Sequence, residues 1–447
     1  MGVNFKMKNL YIKTFGCMMN EYDSKKIENL LQPLGYNLND DIESADLILL
    51  NTCSIRHKAE HKVYSLLGTL KKYKMKNSEL IIAVGGCVAQ QEGKKLLSKT
   101  AHLNLVFGPK KVSNLPNMIE AIIKTGKRYV DVGTESDEKS STDSHIIYNS
   151  SGPKAPVSII TGCDNFCTYC IVPHVRGREE SRPANDVIDE VKALVDTGVK
   201  EITLLGQNVN SYQDGSNGKN GFVDLLRRVG DVDGVKRLRF LTSHPKDLSD
   251  ELISCFSDMD NLCNQIHLPI QSGSNSILAK MNRKYTREDY LNKVDKLLKV
   301  CNNISISTDM IVGFPGETKE DFEDTLDVIR RVEFDQSYSF KYSKRPGTKA
   351  ATFLDDVPSD EKAARLKELQ SLHEGIILRK NKVLEGKMME VLVEGPSKTN
   401  ETFLTGRTTC NRIVNFSSEN SLVGEIVSVK ITRGFMNSLR GELRGIS

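Results

Sequence analysis

The chain has 447 residues, with 62 Lys and Arg against 58 Asp and Glu, for a formal net charge of +4. That length holds roughly three domains, and the near balance of charge excludes a uniformly basic nucleic-acid binder while leaving room for a local basic patch. Apolar residues make up 38% and charged residues 27%, ordinary for a soluble globular protein with material for its cores. Leu10–Thr14 predicts a strand, and Tyr22–Leu34 a helix with Ile27, Leu30, Leu31 and Leu34 on one face, ending at Gly35. Leu47–Asn51 is a short apolar strand, followed by a helix over Arg56–Tyr73 and a strand over Leu80–Val84 closed by Gly85-Gly86. Leu105–Phe107 is a fourth strand candidate. This alternation predicts a small parallel sheet of the doubly wound α/β type.

Glu135–Gly152 is polar, Ser-rich and followed by Pro153, and reads as a linker or surface loop. From Val157 the alternation resumes, with strands expected at Val157–Thr161, Ile202–Leu205, Arg237–Leu241, Gln265–Pro269, Ile304–Thr308 and Gln336–Phe340. About six units fall short of the eight that close the commonest βα barrel, so a partial (βα)6 barrel is expected. A charged helix over Glu361–Leu378 follows. Then come short β-rich runs at Met389–Val393, Phe403–Gly406, Ile413–Phe416 and Ile426–Ile431, which predict a small OB-like β-barrel. The expected boundaries are 8–125 for the α/β domain, 126–152 for the linker, 149–381 for the barrel domain and 384–447 for the tail.

No apolar run approaches the roughly 18 residues of a membrane helix. Met1–Asn20 lacks the apolar stretch of a secretory signal, and Leu443–Ser447 holds no prenylation cysteine, so a cytoplasmic protein without membrane partners is expected. In that reducing setting the ten cysteines read as metal ligands, catalytic groups or core residues rather than disulfides.

Cys163, Cys167 and Cys170 follow the first barrel strand, at the strand end where βα barrels place their chemistry. Structural zinc wants four ligands, and none beyond these three stands at standard spacing; His174 is a possible fourth, but Pro173 stiffens its approach. A 4Fe-4S cluster accepts cysteines, and three of them leave one iron open. Cys17, Cys53 and Cys87 each lie just past a predicted strand of the first domain, the edge along which parallel sheets bind ligands. They are expected to converge as a second three-thiolate site; three ordinary buried cysteines are the alternative. Cys255, Cys263, Cys301 and Cys410 read as packing residues.

The C-x3-C-x2-C spacing, with Tyr169 before its last cysteine, resembles the signature of the radical S-adenosylmethionine enzymes. That resemblance implies a partial βα barrel whose cluster binds S-adenosylmethionine at the open iron and cleaves it to a 5′-deoxyadenosyl radical. With the second triplet and the β-rich tail, the chain from Tyr11 to Arg444 resembles the methylthiotransferases, and the tail is similar to a TRAM domain, an RNA-binding module. Asn51-Thr52-Cys53-Ser54-Ile55-Arg56, Lys58-Ala59-Glu60, Leu204–Asn210, Ser337–Phe340 and Arg345-Pro346-Gly347-Thr348 resemble the branch that methylthiolates N6-dimethylallyladenosine in tRNA. Met18 departs from the family, which usually has Gln after the first cysteine.

The resemblance implies two 4Fe-4S clusters. The one on Cys163, Cys167 and Cys170 generates the radical; the one on Cys17, Cys53 and Cys87 carries and donates sulfur. S-adenosylmethionine supplies both radical and methyl group, and the product carries a methylthio group at carbon 2 of adenosine 37. Implied cofactor contacts are Gly206, Gln207, Gln271, Ser272 and Gly313, the last within Ile311–Glu317; turns needing Gly and Pro for their shape are the alternative. Arg176, with Arg178 and Arg182, is expected to pair with S-adenosylmethionine or phosphates, or else to line a solvated loop. Lys430, Arg433, Arg440 and Arg444 around Phe435 are the candidate RNA contacts. The implied partners are a tRNA anticodon stem-loop and a flavodoxin or ferredoxin-like electron donor.

Three other readings remain. Sister branches act on threonylcarbamoyl-adenosine in tRNA or on a ribosomal protein. His57-Lys58-Ala59-Glu60-His61 matches a zinc-hydrolase motif, but no third ligand follows. A non-catalytic RNA-binding protein with structural metal is the third. No Walker A sequence supports an NTPase.

Overall fold

The computed structural model describes residues 7–54, 57–133, 152–215, 221–398, 400, 402–418 and 421–446, with backbone alone for 57–61. Of the expected linker, 126–152, residues 134–151 lie outside the described residues, as do the side chains of the His57–His61 motif; Tyr129–Asp131 is no linker but a strand paired with Leu105–Phe107, so the first domain runs past 125. Two compact units are formed. The first comprises residues up to 148 with 161–164 and 171–180; the second comprises 149–160, 165–170 and 181–447. Among the described residues no helix is long and apolar enough to cross a membrane.

The first unit contains strands β1 (Lys8–Thr14), β2 (Tyr36–Leu38), β3 (Leu47–Thr52), β4 (Ile81–Gly86), β5 (Leu105–Phe107) and β6 (Tyr129–Asp131). They form one sheet in the order β2-β1-β3-β4-β5-β6, with every pairing parallel. Its helices are α1 (Met18–Leu31), α2 (His57–Lys76), α3 (Cys87–Glu92), α4 (Lys94–Lys99) and α5 (Leu115–Thr125). Alternate residues of each strand feed two cores. Leu10, Leu47, Leu49 and Ala83 pack with Ile27, Leu31, Leu115 and Ile119. Ile48, Leu50, Ile82 and Val84 pack with Val63, Leu67 and Leu70. Burial of both faces explains the continuous apolar runs. Helix α1 starts four residues before the expected Tyr22, because Cys17 is its extended N-cap. Strands β2 and β6 have three residues each and carry little sequence signal.

Two-residue strands β8 (Ile160–Thr161) and β9 (Glu180–Ser181) bracket α6 (Val172–Arg176), and around this insertion the second unit follows the expected pattern. Strands β7 (Lys154–Ser158), β10 (Glu201–Leu205) and β11 (Arg237–Phe240) pair in parallel, as do β12 (Gln265–His267), β13 (Ser305–Val312) and β14 (Gln336–Lys341). The two triplets join through a parallel bridge from Leu238 to Leu262. Six strands thus run in chain order as a partial barrel. Helices α7 (Ala184–Asp196), α8 (Phe222–Gly230), α9 (Asp250–Asp258), α10 (Asn275–Lys280), α11 (Arg287–Val300) and α12 (Lys319–Val332) lie between them, and α13 (Ser359–Lys382) leads to the tail. The tail is a closed barrel, β15-β16-β17-β19-β18, of Met388–Pro396, Phe403–Thr408, Ile413–Ser417, Leu439–Ile446 and Ile426–Gly434. Its fifth strand, β19, was not expected.

Pairing register sorts the partial barrel into two faces. Leu238 and Phe240 turn toward the helices, Phe240 meeting Phe222 of α8 edge-on at 5.2 Å. On the other face stand Glu201, Thr203, Arg237, Arg239, Gln265, His267, Ser307, Asp309 and Tyr338, paired strand to strand. Arg239 Nε lies 3.0 Å from Glu201 Oε1, both buried. Its Nη1 and Nη2 donate to the Thr409 and Thr408 carbonyls of the tail at 2.7 and 2.6 Å. Arg237 donates to Arg407 O and to Glu390 Oε1. Barrel and tail are accordingly one compact unit.

A buried charge deprived of its partner is strongly destabilising. Arg239→Met in the full chain should cost about 3–5 kcal/mol, read by denaturant unfolding. Deleting 384–447 should lower the unfolding midpoint of the remaining barrel, because it strips both guanidinium groups of their carbonyl acceptors.

Candidate metal centres

Cys17 follows β1, Cys53 follows β3 and Cys87 follows β4, three neighbouring strands whose C-terminal ends share one sheet edge. Their backbone supports interlock. Asn20, wholly buried, donates through Nδ2 to Phe15 O, Asn51 Oδ1 and Thr52 O at 3.1, 3.3 and 2.9 Å. Asn51 Nδ2 returns bonds to Asn20 O and Ser24 Oγ at 2.8 and 2.9 Å, and Thr52 Oγ1 donates to Gly85 O at 2.6 Å. Gly16 sits so close to Cys53 that a Cβ would collide with its Cβ and Sγ.

The three thiols sense one another. A hydrogen bond with Cys53 holds Cys17 down to about 6, against burial and with help from the Arg176 charge. Burial pushes Cys87 up, and Arg176 opposes it through charge and a hydrogen bond. Arg176 is itself buried, and its Nη2 donates to Asp23 Oδ2 at 2.8 Å and Asn20 Oδ1 at 3.1 Å. Of the two expectations for this cation, pairing with S-adenosylmethionine or phosphates and a solvated loop, its burial removes the second, and its bonds set it beside the first triplet. Arg178 pairs with Asp164, and Arg182 with Glu190.

Cys163 belongs to the first unit and donates its N–H to Gly177 O at 3.2 Å. Cys167 and Cys170 belong to the second, and chain connectivity keeps all three within eight residues. Residues 165–170 are tied to the end of α10: Thr168 donates to Met281 O and Lys280 O, and Asn282 Nδ2 to Phe166 O at 3.0 Å. Buried Arg283 donates to Cys167 Sγ at 3.4 Å and to Pro269 O at 2.8 Å, supplying positive charge where a thiolate would form. All ten cysteines are free. Among the described residues no three His, Cys, Asp or Glu side chains are grouped for a single metal ion. The reduced thiols and the buried arginines beside Cys87 and Cys167 are the donor chemistry a thiolate-ligated iron-sulfur group takes.

The other expected cofactor contacts stand at barrel strand ends, in turns with structural work of their own. Gly206 has no room for a Cβ beside Ile160, and Gln207 is half-buried. Gln271 has φ +75° and exchanges main-chain bonds with Asp309 and Ile311. Ser272 is buried against Thr325. Gly313 has φ +67° and donates to Glu317 Oε2 at 2.6 Å. In the tail Arg433 and Arg440 face each other across β18 and β19, and their guanidinium groups lie 5.1 and 5.9 Å from the Phe435 ring centre. Lys430 stands opposite Glu442, which pairs with Arg444 at 2.6 Å. All four cations are exposed. Cys255, Cys263 and Cys410 are buried as expected, while Cys301 is half-buried and bonded to Asn303.

Sequence reading missed Asn20, Asp23, Arg283 and His244. The His244 N–H donates to Asn208 and Asn210, and Nδ1 accepts from Lys246 N. Its Nε2 is buried with no hydrogen-bond partner among the described residues. Burial first, then the Arg283 charge, lower its pKa to about 2.

Comparison with known proteins adds three family matches: Uncharacterized protein family UPF0004 over residues 9–108, the Radical SAM superfamily over 157–329 and the TRAM domain over 382–443. A protein of Syntrophus aciditrophicus (strain SB) named tRNA-2-methylthio-N(6)-dimethylallyladenosine synthase is 49% identical over 441 residues, covering 99% of this chain and 95% of its own. One of the same name from Geotalea uraniireducens (strain Rf4) is 50% identical, covering 98% and 99%. Among solved structures, the radical S-adenosylmethionine methyltransferase TsrM from Kitasatospora setae superposes with a TM-score of 0.56 at 14% identity, over 77% of each chain. The cobalamin-dependent radical enzyme OxsB gives 0.53 at 12%, over 83% of this chain and 56% of its own. These two likenesses concern the fold.

The buried, neutral His244 makes stability depend on pH. Its folded pKa lies below the unfolded value of about 6.5, so below that pH the unfolded chain binds the extra proton and stability is lost as pH falls. Measured between pH 7.5 and 5, the native protein should lose about 1.4 kcal/mol more per pH unit below 6.5 than His244→Gln.

Proposed function

Because the chain belongs to the tRNA-2-methylthio-N(6)-dimethylallyladenosine synthase family, we propose that it is a radical-SAM methylthiotransferase that adds a methylthio group to carbon 2 of N6-dimethylallyladenosine at position 37 of tRNA. The observation that carries this reading is the pair of thiol triplets, the first along the C-terminal edge of the parallel sheet and the second in the loop after β8, each with a buried arginine beside one of its cysteines.

Hydrogen removal from an adenine carbon needs an oxidant stronger than any side chain, and a reduced 4Fe-4S cluster with S-adenosylmethionine at its open iron supplies it when bound. Cys163, Cys167 and Cys170 would hold that cluster, with Arg283 offsetting thiolate charge at Cys167. Cys17, Cys53 and Cys87 would hold a second, sulfur-donating one. Gly206, Gln207, Gln271, Ser272 and Gly313 would shape the S-adenosylmethionine site. The inner barrel face carries His267 bonded to Ser307 at 3.0 Å, with Asp309, Tyr338 and Phe340 beside it. Tyr338 and Phe340 remain 42% and 38% exposed, enough ring surface to stack a base and its dimethylallyl group. The tail cations Lys430, Arg433, Arg440 and Arg444 would hold phosphates of the anticodon stem-loop, with Phe435 available for stacking. A flavodoxin or ferredoxin-like protein would supply electrons, and the setting would be cytoplasmic.

Anaerobically reconstituted protein should hold about eight irons. The Cys163, Cys167, Cys170→Ala variant should keep about four and produce no 5′-deoxyadenosine. The Cys17, Cys53, Cys87→Ala variant should still produce it, yet transfer no sulfur to tRNA bearing N6-dimethylallyladenosine. A methylthiolated product from this second variant would sink the division of labour, and full iron in the first would sink the ligand assignment.

Arg433→Gln with Arg440→Gln should weaken tRNA binding and reduce the slope of log K against log salt by roughly 0.7–0.9 per lost phosphate contact. Phe435→Ala should cost about 1–3 kcal/mol with little change of slope. These surface changes probe the tail without undoing its buried junction with the barrel.

A further inference from the structure

Residues 171–180 leave the second cysteine motif one position after Cys170, yet they pack with the first unit. Ile171 and Val175 join Cys87 in one apolar cluster, and Lys110 Nζ reaches Glu180 Oε1 at 2.6 Å. The short helix α6 ends on Arg176, which is 5% exposed. A buried guanidinium stays charged, and its burial is costly unless its surroundings compensate it. Here Asp23 Oδ2 lies at 2.8 Å and Asn20 Oδ1 at 3.1 Å, and Cys87 and Cys17 are the other groups that feel the charge. Asn20 in turn lies 3.8 Å from Cys17 Sγ. Nothing in the radical chemistry assigned to the barrel uses this arginine.

We propose that Arg176 is a positioning residue for the group held by Cys17, Cys53 and Cys87: its cation compensates that group's negative charge, and Asp23 sets how much of the cation is available. This rests on the reading that the three thiolates hold a 4Fe-4S cluster. A cluster on three thiolates is a monoanion, and one electron from an added reductant makes it a dianion. A neighbouring cation stabilises the dianion more than the monoanion, because the Coulomb term scales with the product of charges. Arg176 therefore raises the reduction potential and Asp23 lowers it, a control of the kind that groups around a ligand set exert. The same cation favours an anionic sulfur species at the open iron over a neutral one.

The test is an EPR-monitored redox titration of the full chain carrying Cys163, Cys167 and Cys170→Ala, so that only the first cluster reports. Arg176→Gln should move the midpoint to more negative potential, Arg176→Lys should restore most of it, and Asp23→Asn should move it the opposite way. Damage to packing would not give shifts of opposite sign from two partners of one ion pair. Unchanged midpoints, or shifts of the same sign in Arg176→Gln and Asp23→Asn, would overturn the proposal. If Arg176→Gln fails to fold, the Lys and Asn variants carry the same test. A parent variant that binds no iron while folded overturns the cluster assignment and this proposal with it; four irons with unmoved midpoints overturn this proposal alone.

Discussion

Parallel pairing in register is the constraint on which the first unit depends. β1, β3 and β4 run side by side with aligned residues, so the residue after each strand falls on the same edge. Cysteines 36 and 34 positions apart are brought to one edge by that alignment, where Cys17 bonds to Cys53 and Cys87 feels the charge of Cys17. The sheet is then locked at the edge itself. Asn20 binds Phe15, Asn51 and Thr52 at once, and Gly16 lets the backbone approach Cys53 more closely than any side chain would permit.

In the second unit the governing fact is that the inner barrel face is polar. Leu238 and Phe240 satisfy the helices, which forces Arg237 and Arg239 inward. An arginine buried there is tolerable only with acceptors, and the tail supplies them through the carbonyls of Arg407, Thr408 and Thr409. The tail is therefore part of the barrel's electrostatic closure as well as a candidate RNA surface. Asp335, which takes both Lys380 and Arg412, ties α13 and the tail to the barrel by the same logic.

Much of this was legible in the sequence because it is local. Apolar runs such as Leu47–Leu50 announce strands buried on both sides, and the spacing of Cys163, Cys167 and Cys170 is a local pattern. β19 escaped notice although Leu439, Gly441 and Leu443 alternate with Arg440, Glu442 and Arg444. Gly441 is buried against Val429 and Lys430, so register and barrel closure rather than side-chain volume decide the strand there. Arg176 was assigned to the nearer chain feature, the cysteine motif just before it. Its actual partner, Asp23, lies 153 positions away, and the Arg283 bond to Cys167 spans 116. Charge pairing across such separations leaves no periodic trace, so the cysteines could be read and the cations that support them could not.

If this chain places a methylthio group on a tRNA adenosine, mass analysis of tRNA nucleosides reads the product itself. In cells deprived of the chain, N6-dimethylallyladenosine should accumulate without its 2-methylthio form, and returning the native chain should restore that form. Unchanged 2-methylthio content in the deprived cells, or a loss confined to threonylcarbamoyl-adenosine derivatives, would contradict it.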